Sequence, residues 1–534
     1  MLSNGSISEI LSKENKIYLV ERILMENNQT KNLFKNSFIT GVIFVIQMIM
    51  SFVTRTLFIK FLGVEILGFN GVISNILMVL SVAELGIGPA LIFSLYKPLA
   101  ENEVELVKIL MKFYKKIYTL IGLIIAGLGL VLIPFLPFIV DSSAQIDHLY
   151  LYYLLFLSNT VVSYFFTYKR SIIIADQKNY IVASNDFLYW MMFQISSCFA
   201  IMLYSSFTAY LIFQLLSTIA ANLSISFIAD KKFPYLKDKP SDTQLPQNLK
   251  SEIKKNTIGQ FTNKIGTMVV NGTDNILISI FIGLSQVGMY VNYTLIVTSV
   301  TNLINQIINS MTATIGNVGI TGSRSDSVRM FENHLFFVHS IGYFCSFYLI
   351  VLFNPFIILW LGSKFTFSFF TVILIVLNFS ITISRKSALS FIDAYGLAWY
   401  QKYKPVFESI VNLGLSILFI TVFHLGVDGV LLGTIISSIT ISCWFEPYVL
   451  YKHGFSEPFK KFAILAVKNY GTTVIGLILA IVTALLTSEL RGFQGFILQI
   501  LITSTILISS FIAINIKRRE FRWFLHLVLR KKHN

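Results

Sequence analysis

The chain has 534 residues, 55% of them hydrophobic and only 13% charged, with a mean hydropathy of +0.71 and a formal net charge of +15. A soluble domain carries about 25% charged residues, so this composition excludes an ordinary water-soluble enzyme and places the chain in a bilayer. Cys198, Cys345 and Cys443 stand alone in apolar sequence, which argues for simple packing and against a disulfide framework or metal site.

Residues 1–34 are polar, with a weak helical pattern of Ile7, Ile10, Leu11, Tyr18 and Leu24 and no apolar signal-peptide core. A cytoplasmic segment is expected there, with Met25 as an alternative start. A membrane-spanning helix needs about 20 apolar residues to cross about 30 Å of hydrocarbon. Such stretches lie near 37–60, 70–95, 117–139, 149–170, 181–204, 207–229, 257–281, 287–311, 335–360, 367–391, 405–424, 429–450, 465–487 and 493–515. The expected fold class is therefore an all-α polytopic membrane protein of about 14 transmembrane helices. Its expected divisions are a lobe over 35–229, a Pro- and Lys-rich cytoplasmic linker over 230–256, a second lobe over 257–451, and two further helices with a basic tail over 452–534.

Cytoplasmic loops collect Lys and Arg, and that asymmetry orients the chain. With both termini cytoplasmic, every Lys and Arg falls on the cytoplasmic side except Lys60, Lys364 and Arg491, which face outward, and Arg55 and Lys264, which lie inside spans. Topology and anionic inner-leaflet lipid account for the net charge, so membrane lipid is an expected partner and nucleic acid is not.

The first half recurs in the second. At a constant offset of 220 residues Gly63 falls on Gly283, Gly68 on Gly288, Met48 on Met268, Leu57 on Leu277 and Phe61 on Phe281. Later phrases match at nearly the same offset: LPFIV pairs with NPFII, and YKRSIIIADQKNY with SRKSALSFIDAYGLAWY. Each unit holds an even number of spans, so the two share one orientation and form parallel six-helix repeats.

Four equivalent helices carry polar stripes at helical spacing. The first has Gln47, Ser51, Thr54 and Arg55; its duplicate has Gln260, Asn263, Lys264, Thr267, Asn271 and Asp274. The second helix has Asn70, Ser74, Ser81 and Glu84 before a break at Gly86, Gly88 and Pro89, and its duplicate has Thr298, Asn302, Asn305, Gln306 and Asn309. Small polar residues can simply join helices. Ions need more, because Arg, Lys or Asp at a helix centre costs at least ~2.5–3.5 kcal/mol on insertion scales. Each therefore requires an ion-pair partner or a hydrated cavity. Asp186 lies toward the cytoplasmic end of its helix, where an interfacial structural role is expected over proton transfer, and Glu408 and Glu446 lie near the cytoplasmic ends of theirs, where a solvated or paired state is expected.

The phrases LGVEILGFNGVISNILMVLSVAELGIGPAL from Leu62, IGLSQVGMYVNYTLIVTSVTNLINQIINSMTATIGN from Ile282 and the YKRS turn from Tyr168 resemble the polysaccharide-transporter branch of the multidrug/oligosaccharidyl-lipid/polysaccharide (MOP) flippase superfamily. Within it the chain is most similar to Wzx-type flippases. That resemblance implies two six-helix lobes around a V-shaped cavity, alternating access, and movement of undecaprenyl diphosphate-linked oligosaccharide repeat units to the outer leaflet of the bacterial cytoplasmic membrane for capsule, exopolysaccharide or O-antigen assembly. It also makes a polysaccharide polymerase a candidate partner. Fourteen helices exceed the twelve common in that branch and are similar to the lipid II flippases.

An anionic diphosphate-sugar headgroup suits Arg55 and Lys264 as cations, with Gln47, Asn271 and Asn302 as hydrogen-bonding groups. Glu84 and Asp274 are the candidates to bind a coupling H+ or Na+, and no other cofactor or metal is expected. The alternative to these roles is a static ion pair of Arg55 with Asp274 or Glu84. Three competing classes are a MATE-like exporter of cationic drugs, better served by an acidic cavity; a membrane-embedded polymerase, for which longer outward loops are expected; and a nontransporting scaffold. No GxxxxGK[ST] phosphate loop occurs, so ATP coupling within the chain is not expected.

Overall fold

Hydrocarbon offers no partner to backbone N–H and C=O groups, so a long apolar segment satisfies them internally by becoming a helix. The computed structural model describes residues 41–81, 87–140, 146–176, 178–238 and 272–522, with isolated positions between 246 and 253. Among these every regular element is helical. In chain order they are α1 (Gly41–Leu62), α2 (Val64–Leu80), α3 (Ile87–Ala100), α4 (Val104–Ile139), α5 (Leu149–Ala175), α6 (Asn179–Tyr204) and α7 (Phe207–Lys232). After these come α8 (272–281), α9 (Leu284–Thr321), α10 (Arg324–Leu361), α11 (Phe369–Ala394), α12 (Lys404–Thr421), α13 (Gly426–Gly454), α14 (Phe459–Leu486) and α15 (Gly492–Asn515).

Twelve of the described helices are long and apolar enough to cross a bilayer, and each lies on an expected span. The remaining two expected spans are only partly described. At 70–95 the chain forms α2 and α3, with 82–86 outside the described residues; of 257–281 only α8 is described.

The helices cluster into two compact units. The first contains the described parts of 41–58, 88–126 and 155–253. Here α6 and α7 form a hairpin: Ser205 turns the chain with φ at 45°, and the Ser206 side chain accepts the Ala209 N–H to cap α7. The later turns of α1, through Phe58, lie against that hairpin. Phe58 meets Phe207 and Tyr210 edge-on, with ring centroids 5.7 and 5.3 Å away, and the Thr54 hydroxyl donates to Gln194 Oε1 at 3.1 Å.

Several charges near the ends of α5, α6 and α7 are paired across helices. Arg170 on α5 reaches Asp186 on α6 at 2.6 Å and donates to Asn222 Oδ1 on α7 at 3.2 Å. Lys169 meets Asp230 at 2.7 Å. Just beyond α5, burial pushes the Asp176 carboxyl upward, but hydrogen bonds from Lys178 and Lys232 outweigh it and hold the group below its ordinary value.

The second unit contains the described parts of 59–87, 127–154 and 272–522, and so includes α2 from the first sequence repeat. The helix α2 crosses its own duplicate, α9. Gly63 and Gly283 begin these two helices at φ values of 89° and 124°, a left-handed geometry that suits glycine. One turn later the backbones touch: a Cβ on Gly68 would fall on the Leu284 carbonyl, and one on Gly288 would fall on the Val64 carbonyl. Val64 and Leu284 are themselves equivalent in the repeat, so the crossing is self-complementary.

Elsewhere in this unit Phe331, Phe391, Tyr451, Phe455 and Phe462 form an aromatic core joining α10, α11, α13 and α14. The added helix α15 attaches to α10 through hydrogen bonds of Tyr343 with Ser510 and Tyr348 with Ser504, at 2.8 and 2.7 Å.

A four-charge cluster ties α11, α12 and α13 together. Arg385 meets Glu446 at 2.6 Å and Glu408 at 3.1 Å, while Lys404 meets the same two carboxylates at 2.6 and 3.2 Å. A π-helical turn at Ser438–Ser442 presents Ser438, whose hydroxyl donates to Glu408 at 3.1 Å. The pattern repeats the first unit: one basic residue bridges an acid on the next helix and an acceptor on the one after, Arg170–Asp186–Asn222 in one and Arg385–Glu408–Glu446 in the other. Glu446 is 0% exposed, and breaking a buried ion pair costs about 3–5 kcal/mol because its partners stay buried. Glu446→Ala is therefore expected to lower the stability of the detergent-solubilised protein by that amount, read as a fall in unfolding temperature. An unchanged unfolding temperature would contradict the cluster's structural role.

Candidate functional site

Each unit places one of the predicted membrane-embedded ions. In the first, the stripe on α1 does three different things. Ser51 is satisfied within its own helix, its hydroxyl donating to the Gln47 carbonyl at 2.7 Å. Thr54 is buried at 7% exposure and joins α1 to α6 through Gln194. Arg55, one residue on, is half-buried beside Tyr210 of α7. Among the described residues no carboxylate of its own unit lies within 4.0 Å of Arg55, in contrast to Arg170. Gln47 is half-buried two turns away on the same helix. A guanidinium in an apolar bundle with no counter-ion among the described residues of its unit has five donors to offer an anion.

The second unit holds Asp274 on α8. It is 8% exposed, and its Oδ1 has no hydrogen-bond partner among the described residues. The neighbouring side chains Thr273 and Asn275 also carry buried oxygens without partners. The Thr434 hydroxyl of α13 lies within hydrogen-bonding reach of the Asp274 carboxylate, and Tyr290 of α9 is close by. Asn412 of α12 donates to Thr434 Oγ1 at 2.8 Å, and Thr434 donates to the Val430 carbonyl at 3.2 Å. One turn further along α12, Ser416 also points to that carbonyl, at 3.4 Å. The Thr434 hydroxyl has one proton to divide between Asp274 and Val430. A carboxylate oxygen, a hydroxyl, an amide oxygen and a backbone carbonyl are hard ligands of the kind that hold a small cation, and the same carboxylate can take a proton. Among the described residues no three His, Cys, Asp or Glu side chains gather as a metal site.

Asn302 lies in the second unit, exposed on α9 with Gln306 and Asn309. Glu84, Lys264 and Asn271 lie outside the described residues. Thr434, Asn412 and Tyr210 were not singled out from sequence. The available signal was Asn412 with Ser416 at i, i+4 on α12, facing Val430 and Thr434 at i, i+4 on α13. It stands inside two apolar helices whose carboxylates drew attention first.

The helices are similar in fold to solved transporters of the MOP superfamily. An inward-facing multidrug-resistance MATE-family transporter of that superfamily superposes with a TM-score of 0.61 at 13% identity, over 77% of this chain and 98% of its own. The lipid II flippase MurJ in an inward closed conformation gives 0.59 at 17% identity, over 89% of this chain and 98% of its own. A MOP-superfamily transporter from Pyrococcus furiosus gives 0.51 at 14% identity, over 79% and 95%. At these identities the likeness is one of fold. Among curated proteins none matches the chain. The profile of the polysaccharide biosynthesis protein family matches residues 33–314, more than half of the 534, and the chain belongs to that family.

Proposed function

We propose that the protein translocates undecaprenyl diphosphate-linked oligosaccharide repeat units from the cytoplasmic to the outer leaflet of a bacterial plasma membrane, with both termini cytoplasmic. The observation that carries this reading is Arg55, a membrane-embedded cation without a carboxylate from its own unit among the described residues. A diphosphate brings the anion that such a group needs, and the Arg fork matches phosphate oxygens in a bidentate manner. The polyprenyl tail stays in lipid. Gln47, two turns from Arg55 on the same helix, offers hydrogen bonds to sugar hydroxyls. Membership of a polysaccharide biosynthesis family supports a sugar-bearing substrate over a cationic drug.

Movement of the headgroup is coupled to H+ or Na+ bound at Asp274, with the Thr434 hydroxyl and the Val430 carbonyl beside it and Asn412 holding the Thr434 hydroxyl in place. An unpartnered buried carboxylate oxygen carries a desolvation penalty that a proton or cation removes, which links ion occupancy to the packing of α8 against α13.

The test is reconstitution in vesicles with a polyprenyl diphosphate-linked oligosaccharide and a membrane-impermeant probe of its outer-leaflet fraction. Arg55→Ala should lower substrate affinity by about 10- to 150-fold, the equivalent of a lost charged hydrogen bond of ~1.5–3 kcal/mol, while Arg55→Lys keeps part of it. Equal transport by wild type and Arg55→Ala would remove Arg55 from the substrate path.

A further inference from the structure

A cavity of about 550 Å³ opens in the second unit where the ends of α10 and α14 meet the starts of α11 and α15. That size lies within the range of about 300–1,000 Å³ typical of small-molecule sites. Its walls are apolar, built by Ile350, Ile358, Leu359, Leu485 and Phe496, and Arg491 stands among the lining residues. Among the described residues Arg491 forms no ion pair.

Three further features bear on the occupant. The helix α15 begins at Gly492, also in the lining, with no side-chain cap, so the positive end of its dipole adds to Arg491. Gln499 lines the cavity at 2% exposure; its Nε2 donates to the Thr487 and Leu490 carbonyls at 2.9 and 3.3 Å, which fixes the amide orientation, and its buried Oε1 has no partner among the described residues. Lys364, next to the lining residue Ser363, is with Arg491 one of the three basic residues that the charge asymmetry puts on the outer side. Basic residues are disfavoured there, so topology does not account for two of them near one apolar cavity.

We propose that this cavity binds an anionic membrane phospholipid, one acyl chain against the apolar wall and the phosphate at Arg491 and the α15 terminus. Charge complementarity favours phosphatidylglycerol over a zwitterionic lipid. The site is separate from Arg55 and Asp274 and does not depend on the transported substrate.

The test is lipid retention by the purified full chain, extracted from membranes containing phosphatidylglycerol and phosphatidylethanolamine and washed in detergent, with bound lipid read by mass spectrometry. Phosphatidylglycerol should be retained selectively. Arg491→Gln should weaken its retention about fivefold, the loss expected of one cation beside an anionic lipid, and Arg491→Lys should keep most of it. Ala484→Phe, which fills the cavity, should displace the lipid. Lipid-free unfolding temperatures equal to wild type show that the Arg491→Gln and Ala484→Phe variants are folded; for a variant that is not, competition by added phosphatidylglycerol on the wild-type chain gives the same readout. Equal retention of both lipids, or retention unchanged in both variants, would overturn the proposal. So would displacement of phosphatidylglycerol by an equimolar long-chain isoprenyl diphosphate, which would assign the cavity to a substrate tail.

Discussion

Gly288→Val is expected to abolish transport and to lower the stability of the second unit, and Gly68→Val to do the same. At both positions even the first carbon of a side chain would overlap a backbone carbonyl of the facing helix, Val64 for Gly288 and Leu284 for Gly68. Backbone cannot rotate aside as a flexible side chain can, so α2 and α9 must separate. Overpacking of a well-packed interface costs about 1–3 kcal/mol, and the branched Val adds to the overlap that Ala would already create. The matched controls are Gly414→Ala on α12 and Gly471→Ala on α14, where an added Cβ meets nothing within 4 Å. These should be neutral or stabilising by about 0.5–1 kcal/mol, since Ala favours helix over Gly. Unfolding temperature and transport rate, measured on all four variants, check the account. Wild-type values in Gly288→Val would contradict the close crossing.

Asp274→Asn is expected to remove the ion dependence of transport while the protein remains folded. The amide preserves shape and a hydrogen bond to Thr434 but can neither take a proton nor carry charge to a cation. Ion affinity should fall by about 10- to 150-fold, corresponding to ~1.5–3 kcal/mol for a charged ligand. Thr434→Ala and Asn412→Ala should produce smaller losses in the same direction, because each removes a neutral member of the set. The measurement is transport rate against pH and against Na+ concentration. A Asp274→Asn protein with the wild-type dependence on both would place coupling elsewhere.

Much of the architecture was legible in the chain because hydrocarbon imposes a single solution on long apolar segments. The duplication is legible too: Gly68 and Gly288, equivalent glycines in the repeat, are where the backbones of α2 and α9 touch. What periodicity cannot supply is the partner of a polar residue. The sequence suggests an interfacial place for Asp186 and a solvated or paired state for Glu408 and Glu446; Asp186 meets Arg170, and the two glutamates are buried and paired with Arg385 and Lys404. Thr54 and Arg55 share a stripe but differ in role, since one turns to Gln194 and the other to Tyr210. Asp274 was identified as a buried acid, yet its neighbours Thr434 and Asn412 come from helices far along the chain and look like ordinary small polar residues in their own context. Only the packing of α8, α12 and α13 brings them together.

The central claim is that this chain moves a lipid-linked oligosaccharide across the membrane, and the most direct measurement is the leaflet distribution of that lipid in cells depleted of the protein. Accumulation of diphosphate-linked oligosaccharide on the cytoplasmic face, reversed by the wild-type chain and poorly by a normally expressed Arg55→Ala, is the predicted result. An unchanged distribution in cells with no second transporter for the same lipid would contradict it.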